Sequence, residues 1–183
     1  MKKLMIAAAI VCAAAMSQAA CINWSVANSS WADSSGSSKP AQGTLIYLIN
    51  GDTSLDTIAK AVSDGNITSQ DWFFGSKATD NTKGRITEYK LTSDNLVADK
   101  KYNFSALIVE DDKYMVSGVK TQFAYATDSD TPLKITFTTD EMNANAQTAG
   151  LPGAQNGWAN VPEPTSGLLL LLGVAGLALR RRA

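Results

Sequence analysis

Histidine is absent from all 183 residues, which removes the commonest general base and the commonest transition-metal ligand. Cysteine is nearly absent too, since Cys12 and Cys21 are the only two. Cys12 lies in an apolar leader, so a processed chain keeps one thiol, and one thiol cannot form an internal disulfide. Cations are scarce in the middle. From Cys21 to Asn160 there are 11 lysines and arginines against 16 acids, a net charge of −5. That balance keeps an exported domain soluble and argues against nucleic acid as a partner. No G-x-S-x-G, P-loop or G-x-G-x-x-G pattern occurs, and without an imidazole neither Cys21 nor any serine has the usual base to activate it. No cofactor or metal is expected, and the composition favours a protein that is not an enzyme.

The two ends carry the strongest signals. Lys2 and Lys3 precede an apolar stretch from Leu4 to Ala15, and Ser17-Gln18-Ala19-Ala20 supplies small residues for cleavage. This is the layout of a Sec-type signal peptide over residues 1–20, cut after Ala19 or Ala20, which makes the Sec translocon the expected first partner. Cys21 follows directly, so lipidation there is an alternative, although Gln18 stands where such a signal usually has a leucine-like residue.

At the other end, Val161-Pro162-Glu163-Pro164 leads into an apolar run from Gly167 to Leu179, closed by Arg180, Arg181 and Arg182. Proline interrupts what precedes it and suits the first turn of a helix. The run itself covers about 20 Å as a helix, and Pro164 to Arg182 about 28 Å, enough for a thin bilayer with the arginines snorkelling at one face. Three consecutive arginines mark the side that stays in the cytoplasm. The order of Pro-Glu-Pro, apolar helix and arginine cluster over residues 161–183 resembles the PEP-CTERM sorting signal of bacterial exosortase systems. The resemblance implies an exosortase-type membrane protease that recognises the Pro-Glu-Pro element, cuts near it, and passes the mature chain to the cell surface or beyond.

Between the ends, short alternating runs separated by turn residues predict an all-β sandwich of about seven strands over residues 21–142. Leu133, Ile135 and Phe137 alternate with polar neighbours, as do Val119, Thr121, Phe123 and Tyr125. Leu45 to Ile49 is apolar throughout and reads as a central strand covered on both sides. Tyr102 to Glu110 and the segment from Lys113 flank Asp111-Asp112, a natural hairpin turn. Ile22 to Val26, Trp72 to Phe74 and Ile86 to Leu91 are weaker strand candidates. One helix is expected at Leu55, Ile58, Ala59 and Val62, capped by Asp52 or Thr53 and ended by Asp64-Gly65. The Asn-, Ala- and Gly-rich stretch 143–160 reads as a flexible linker.

Candidate binding features are sparse. Trp24 and Trp72, with Trp31, Phe73 and Phe74, are candidate stacking rings for an extracellular polysaccharide, against the alternative that they fill the core. Asp128 and Asp130, and the alternating oxygens of Asn50, Asp52, Ser54 and Asp56, have spacing compatible with calcium, but the second set serves equally well as a helix cap. The expected role is that of a surface-sorted envelope or matrix protein, with a carbohydrate-binding module as the alternative.

Overall fold

The computed structural model describes residues 19–36, 40–127, 133–143 and 145–163. In strand β1 (Ala19–Val26), Ala20, Ile22, Trp24 and Val26 point together into the main core, each at most 1% exposed. Their period of two is what a strand imposes, and each large side chain buried this way contributes about 1.5–3 kcal/mol. Trp24 meets Phe137 edge-on, with ring centroids 6.5 Å apart at 78°.

Further strands follow as β2 (Leu45–Asn50), β3 (Phe73–Ala78), β4 (Ile86–Val97), β5 (Lys101–Glu110) and β6 (Lys113–Val116). The last four are β7 (Lys120–Phe123), β8 (Tyr125–Ala126), β9 (Lys134–Phe137) and β10 (Ala159–Asn160). They form two sheets. In the first, β1 is central, with β4 antiparallel along one edge, and β8 (antiparallel) and β9 (parallel) in succession along the other. The second runs β10-β6-β5-β2-β3, with β7 beside β6 on the same edge of β5.

The expected central strand is confirmed in β2. Ile46 and Leu48 join the core between the sheets, while Tyr47 and Ile49 face a second cluster on the outer side of the larger sheet. That second cluster is covered by helix α1 (Leu55–Ser63), through Ile58, Ala59 and Ala61, together with Ile67 and Trp72. A nine-residue helix is too short to persist alone, so this packing holds it. Its N-cap is Ser54, whose Oγ accepts from Thr57 N at 3.3 Å, rather than Asp52 or Thr53. Asp52 accepts instead from Asn103 Nδ2 at 2.7 Å.

The all-β class is therefore right, with ten strands among the described residues rather than about seven, and a second, one-turn helix α2 (Thr139–Met142). The extra strands are short ones that pairing creates and hydrophobic pattern does not announce. The predicted strand over Val119–Tyr125 breaks at Ala124, a fully buried pivot. Ala124 N donates to Lys100 O at 2.9 Å, and Ala124 O accepts from Asp99 N at 2.8 Å. There the chain leaves the larger sheet as β7 and enters the smaller one as β8.

In and just before β7 the faces are also reversed. Val119, which precedes the strand, and Phe123 within it are 42% and 46% exposed, while Lys120 turns inward to the Glu141 carboxylate of α2. An inward ion pair takes precedence there over the apolar alternation, because both partners would otherwise be left half-buried and unpaired.

Candidate functional site

The stretch expected to be a flexible linker, residues 143–160, is instead part of the module where the structure describes it. After α2, a 3-10 turn at Gln147–Gly150 places Thr148 in the interior. Thr148 Oγ1 accepts from Val116 N at 3.1 Å and donates to Gly157 O. Gln147 Nε2 donates to Ser105 Oγ at 2.9 Å.

The chain then reverses in a two-residue turn at Asn156-Gly157, both with positive φ (51° and 84°), closed by reciprocal 2.9 Å bonds between Gln155 and Trp158. Asn-Gly is the preferred pair for such a turn, because both positions need left-handed backbone. Beyond it Trp158 is buried, 2% exposed, and its Nε1 donates to Ala32 O at 3.0 Å. Polar composition suggested a linker. A single tryptophan and an Asn-Gly turn were the signals that pointed the other way.

From this anchor the chain leads straight into the sorting motif. In β10, Ala159 pairs with Tyr114 and Asn160 with Lys113 of β6. Val161 continues the ladder, with its N–H donating to Asp112 O at 2.7 Å and its side chain packed against the α1 cluster. Pro162 and Glu163 are exposed, and both border a shallow concavity of about 350 Å³ beside Asp56, Ala59, Lys60 and Asp64 of the α1 region. A second hollow of about 330 Å³ lies between the end of α1 and the β5–β6 turn, and Val161, Pro162 and Glu163 line it too. Among the described residues no stalk separates module and motif. Pro164 and the arginines Arg180, Arg181 and Arg182 lie outside the described residues.

At the other end, residues 1–18 of the expected signal peptide lie outside the described residues. Ala19 and Ala20, the expected cleavage zone, already belong to β1, where Ala20 is opposite Ser93 on one side and Ala126 on the other. Cys21 is fully buried, and its Sγ donates weakly to Ala126 O at 3.4 Å. A lipid on this sulfur would require the start of β1 to leave its sheet.

Neither Trp24 nor Trp72 offers a ring face to solvent; Trp31 and Phe74 are buried as well, and Phe73 is half-buried against the α1 cluster. Trp24 is fully buried in the main core and Trp72 is 8% exposed in the α1 cluster. The core-filling alternative accounts for both. Asp128 and Asp130 lie outside the described residues. Among the described residues, no cluster of three or more histidines, cysteines or acids is placed to hold a metal ion.

Three acids have shifted affinities for protons: Asp80, lowered chiefly by the Thr87 N–H that donates to it, and the more buried Glu110 and Glu141. Glu110 is raised, chiefly by burial, although Ser34 N donates to it at 2.8 Å. Glu141 is buried enough to be raised, yet Lys120 and the N–H and hydroxyl of Thr138 outweigh that cost and hold it down to about 2. Both groups tie segments together. Glu110 holds the Ser-rich loop to β5, and Glu141 closes a capping box on α2.

Among the described residues no helix is long and apolar enough to cross a membrane. Residues 160–182 match the family model of the PEP-CTERM protein-sorting motif. The match begins at Asn160, inside β10, so fold and signal share residues. No curated protein and no solved structure matches the chain.

Proposed function

We propose, for a chain that ends in a PEP-CTERM protein-sorting motif, that it is a non-enzymatic envelope or extracellular-matrix protein delivered to the cell surface by an exosortase-type enzyme. The motif implies export and handling by such an enzyme. The finer reading is that Sec exports the chain through residues 1–20, that the apolar run holds it in the membrane by Arg180–Arg182, and that cleavage near Pro162–Pro164 frees or transfers the module. The carrying observation is the order of residues 160–182, in which a proline-bracketed acid, an apolar run and an arginine cluster each supply one physical step of capture, retention and stop.

The non-enzymatic part of the reading is supported by the absence of histidine and by the employment of acids in structure. Glu141 and Asp52 bond neighbouring side chains and caps, and Asp111-Asp112 form a hairpin turn. The burial of Trp24 and Trp72 counts against the carbohydrate-binding alternative.

The test replaces Pro162, Glu163 and Pro164 by alanine in a host that carries an exosortase. The expected result is full-length precursor retained in the membrane while the wild-type chain is shortened and moves to the surface. Equal shortening of both chains would remove the assignment.

A further inference from the structure

The junction between module and signal holds a consequence for when the signal can be read. An enzyme that cuts a peptide binds it extended, through main-chain bonds on both sides of the scissile region. Here the residue before Pro162 is already committed. Val161 N–H is given to Asp112 O, Asn160 and Ala159 are paired to β6, and Pro162 has no N–H to offer. One flank of Pro162 and Glu163 faces the α1 surface across a shallow hollow. On the other side, only Pro164, Thr165 and Ser166 stand between Glu163 and the apolar run in the sequence, a reach of at most about 10 Å.

We infer that the strap Ala159–Val161 gates tail processing: the sorting enzyme gains the Pro-Glu-Pro element when the strap peels from β6, and is held off while it is zipped. The inference rests on the sorting reading above and names a control on that same site. The strap suits the task. It consists of a two-residue strand and one flanking hydrogen bond, an amount of pairing that opens locally without unfolding the module, whereas Trp158 behind it is buried and fixes how far the peeling runs. A module that has not formed β6 has no zipped strap, so processing and folding compete for the same residues.

The test pins the strap. Lys113→Cys and Asn160→Cys stand directly opposite in the β10–β6 pair, an arrangement that accepts a disulfide. The full chain carries them in a Cys21→Ala background and is presented in exosortase-containing membranes, oxidised or reduced. The oxidised precursor should be shortened at least about tenfold more slowly than its own reduced form, which controls for misfolding, because local opening no longer frees the strap. A Gly/Ser insert of about eight residues between Val161 and Pro162, with roughly 15 Å of reach, should bring the oxidised chain back to within about twofold of the reduced one.

Equal rates for oxidised and reduced precursor would overturn the gate, as would an insert that restores nothing. The alanine replacement of Pro162, Glu163 and Pro164 runs alongside. If that variant is blocked while pinning has no effect, the gate alone falls. If it is shortened like the wild type, the sorting reading falls and takes the gate with it.

Discussion

The indole of Trp158 leans on that of Trp31, with ring centroids 6.1 Å apart and planes inclined at 53°. Each ring also donates its N–H to a backbone carbonyl far away in sequence, Trp158 to Ala32 and Trp31 to Gly84. The pair thus ties the C-terminal strap, the Ser-rich loop and the β3–β4 connection to one point. Trp158→Ala should cost about 3–5 kcal/mol, as large-to-small core changes do. Urea unfolding of the purified chain checks this, and a loss below 1 kcal/mol, the cost of an ordinary surface change, would refute the anchoring role.

The turn behind that anchor allows a sharper test. A Cβ on Gly157 would meet Ala146 Cβ at 3.1 Å and Met115 Sδ at 3.2 Å, at a φ of +84° that side chains other than glycine rarely adopt. Gly157→Ala should therefore destabilise by about 1–3 kcal/mol. Thermal unfolding monitored by tryptophan fluorescence, which reports on neighbouring Trp158, gives the measurement.

Glu141 sets an acid limit on stability. Its carboxyl is held at about 2, against an ordinary 4.5, because the bonds from Lys120 and Thr138 outweigh its burial. A depressed carboxyl contributes stability in full above 4.5, and the contribution drains away as pH falls toward 2. Glu141→Gln keeps the shape and removes the charge, so it should cost about 1–2 kcal/mol at neutral pH and flatten that acid slope. An unchanged slope between pH 4.5 and 2 would show that the carboxylate is not what holds α2 and β7 together.

Trp72 separates packing from binding. Its 8% exposure and its place under α1 predict that Trp72→Ala weakens the fold by about 3–5 kcal/mol. The fraction that remains folded should elute from a polysaccharide column like the wild type. Selective loss of retention at full stability would favour the sugar-binding reading of Trp72.

Much of the module was legible because local pattern and tertiary demand agree there. Ile46 and Leu48 against Tyr47 and Ile49, or Asp111-Asp112 between two apolar runs, encode their structure within a few residues. The sorting tail is legible for the same reason, since its chemistry is written in consecutive positions. What escaped depends on partners distant in sequence. Val119 and Phe123 carry a strand's period yet face outward, because Lys120 is drawn to Glu141 and Ala124 serves as the pivot between sheets. The segment 145–160 is poor in apolar residues, but Thr148 and Gln147 lodge it by hydrogen bonds, which leave no hydrophobic signature. Asn156-Gly157 and Trp158 were the local clues.

The position of β1 bears on how the molecule is made. As the first strand of the described residues it is synthesised early, yet it is enclosed by β4 on one edge and by β8 and β9 on the other. Asn23 must wait for Lys134, and Val26 for Phe137, before the smaller sheet exists. Contacts of such long sequence separation slow assembly. Strand β1 therefore spends most of synthesis without its final neighbours, and the smaller sheet closes only after β9 has been made.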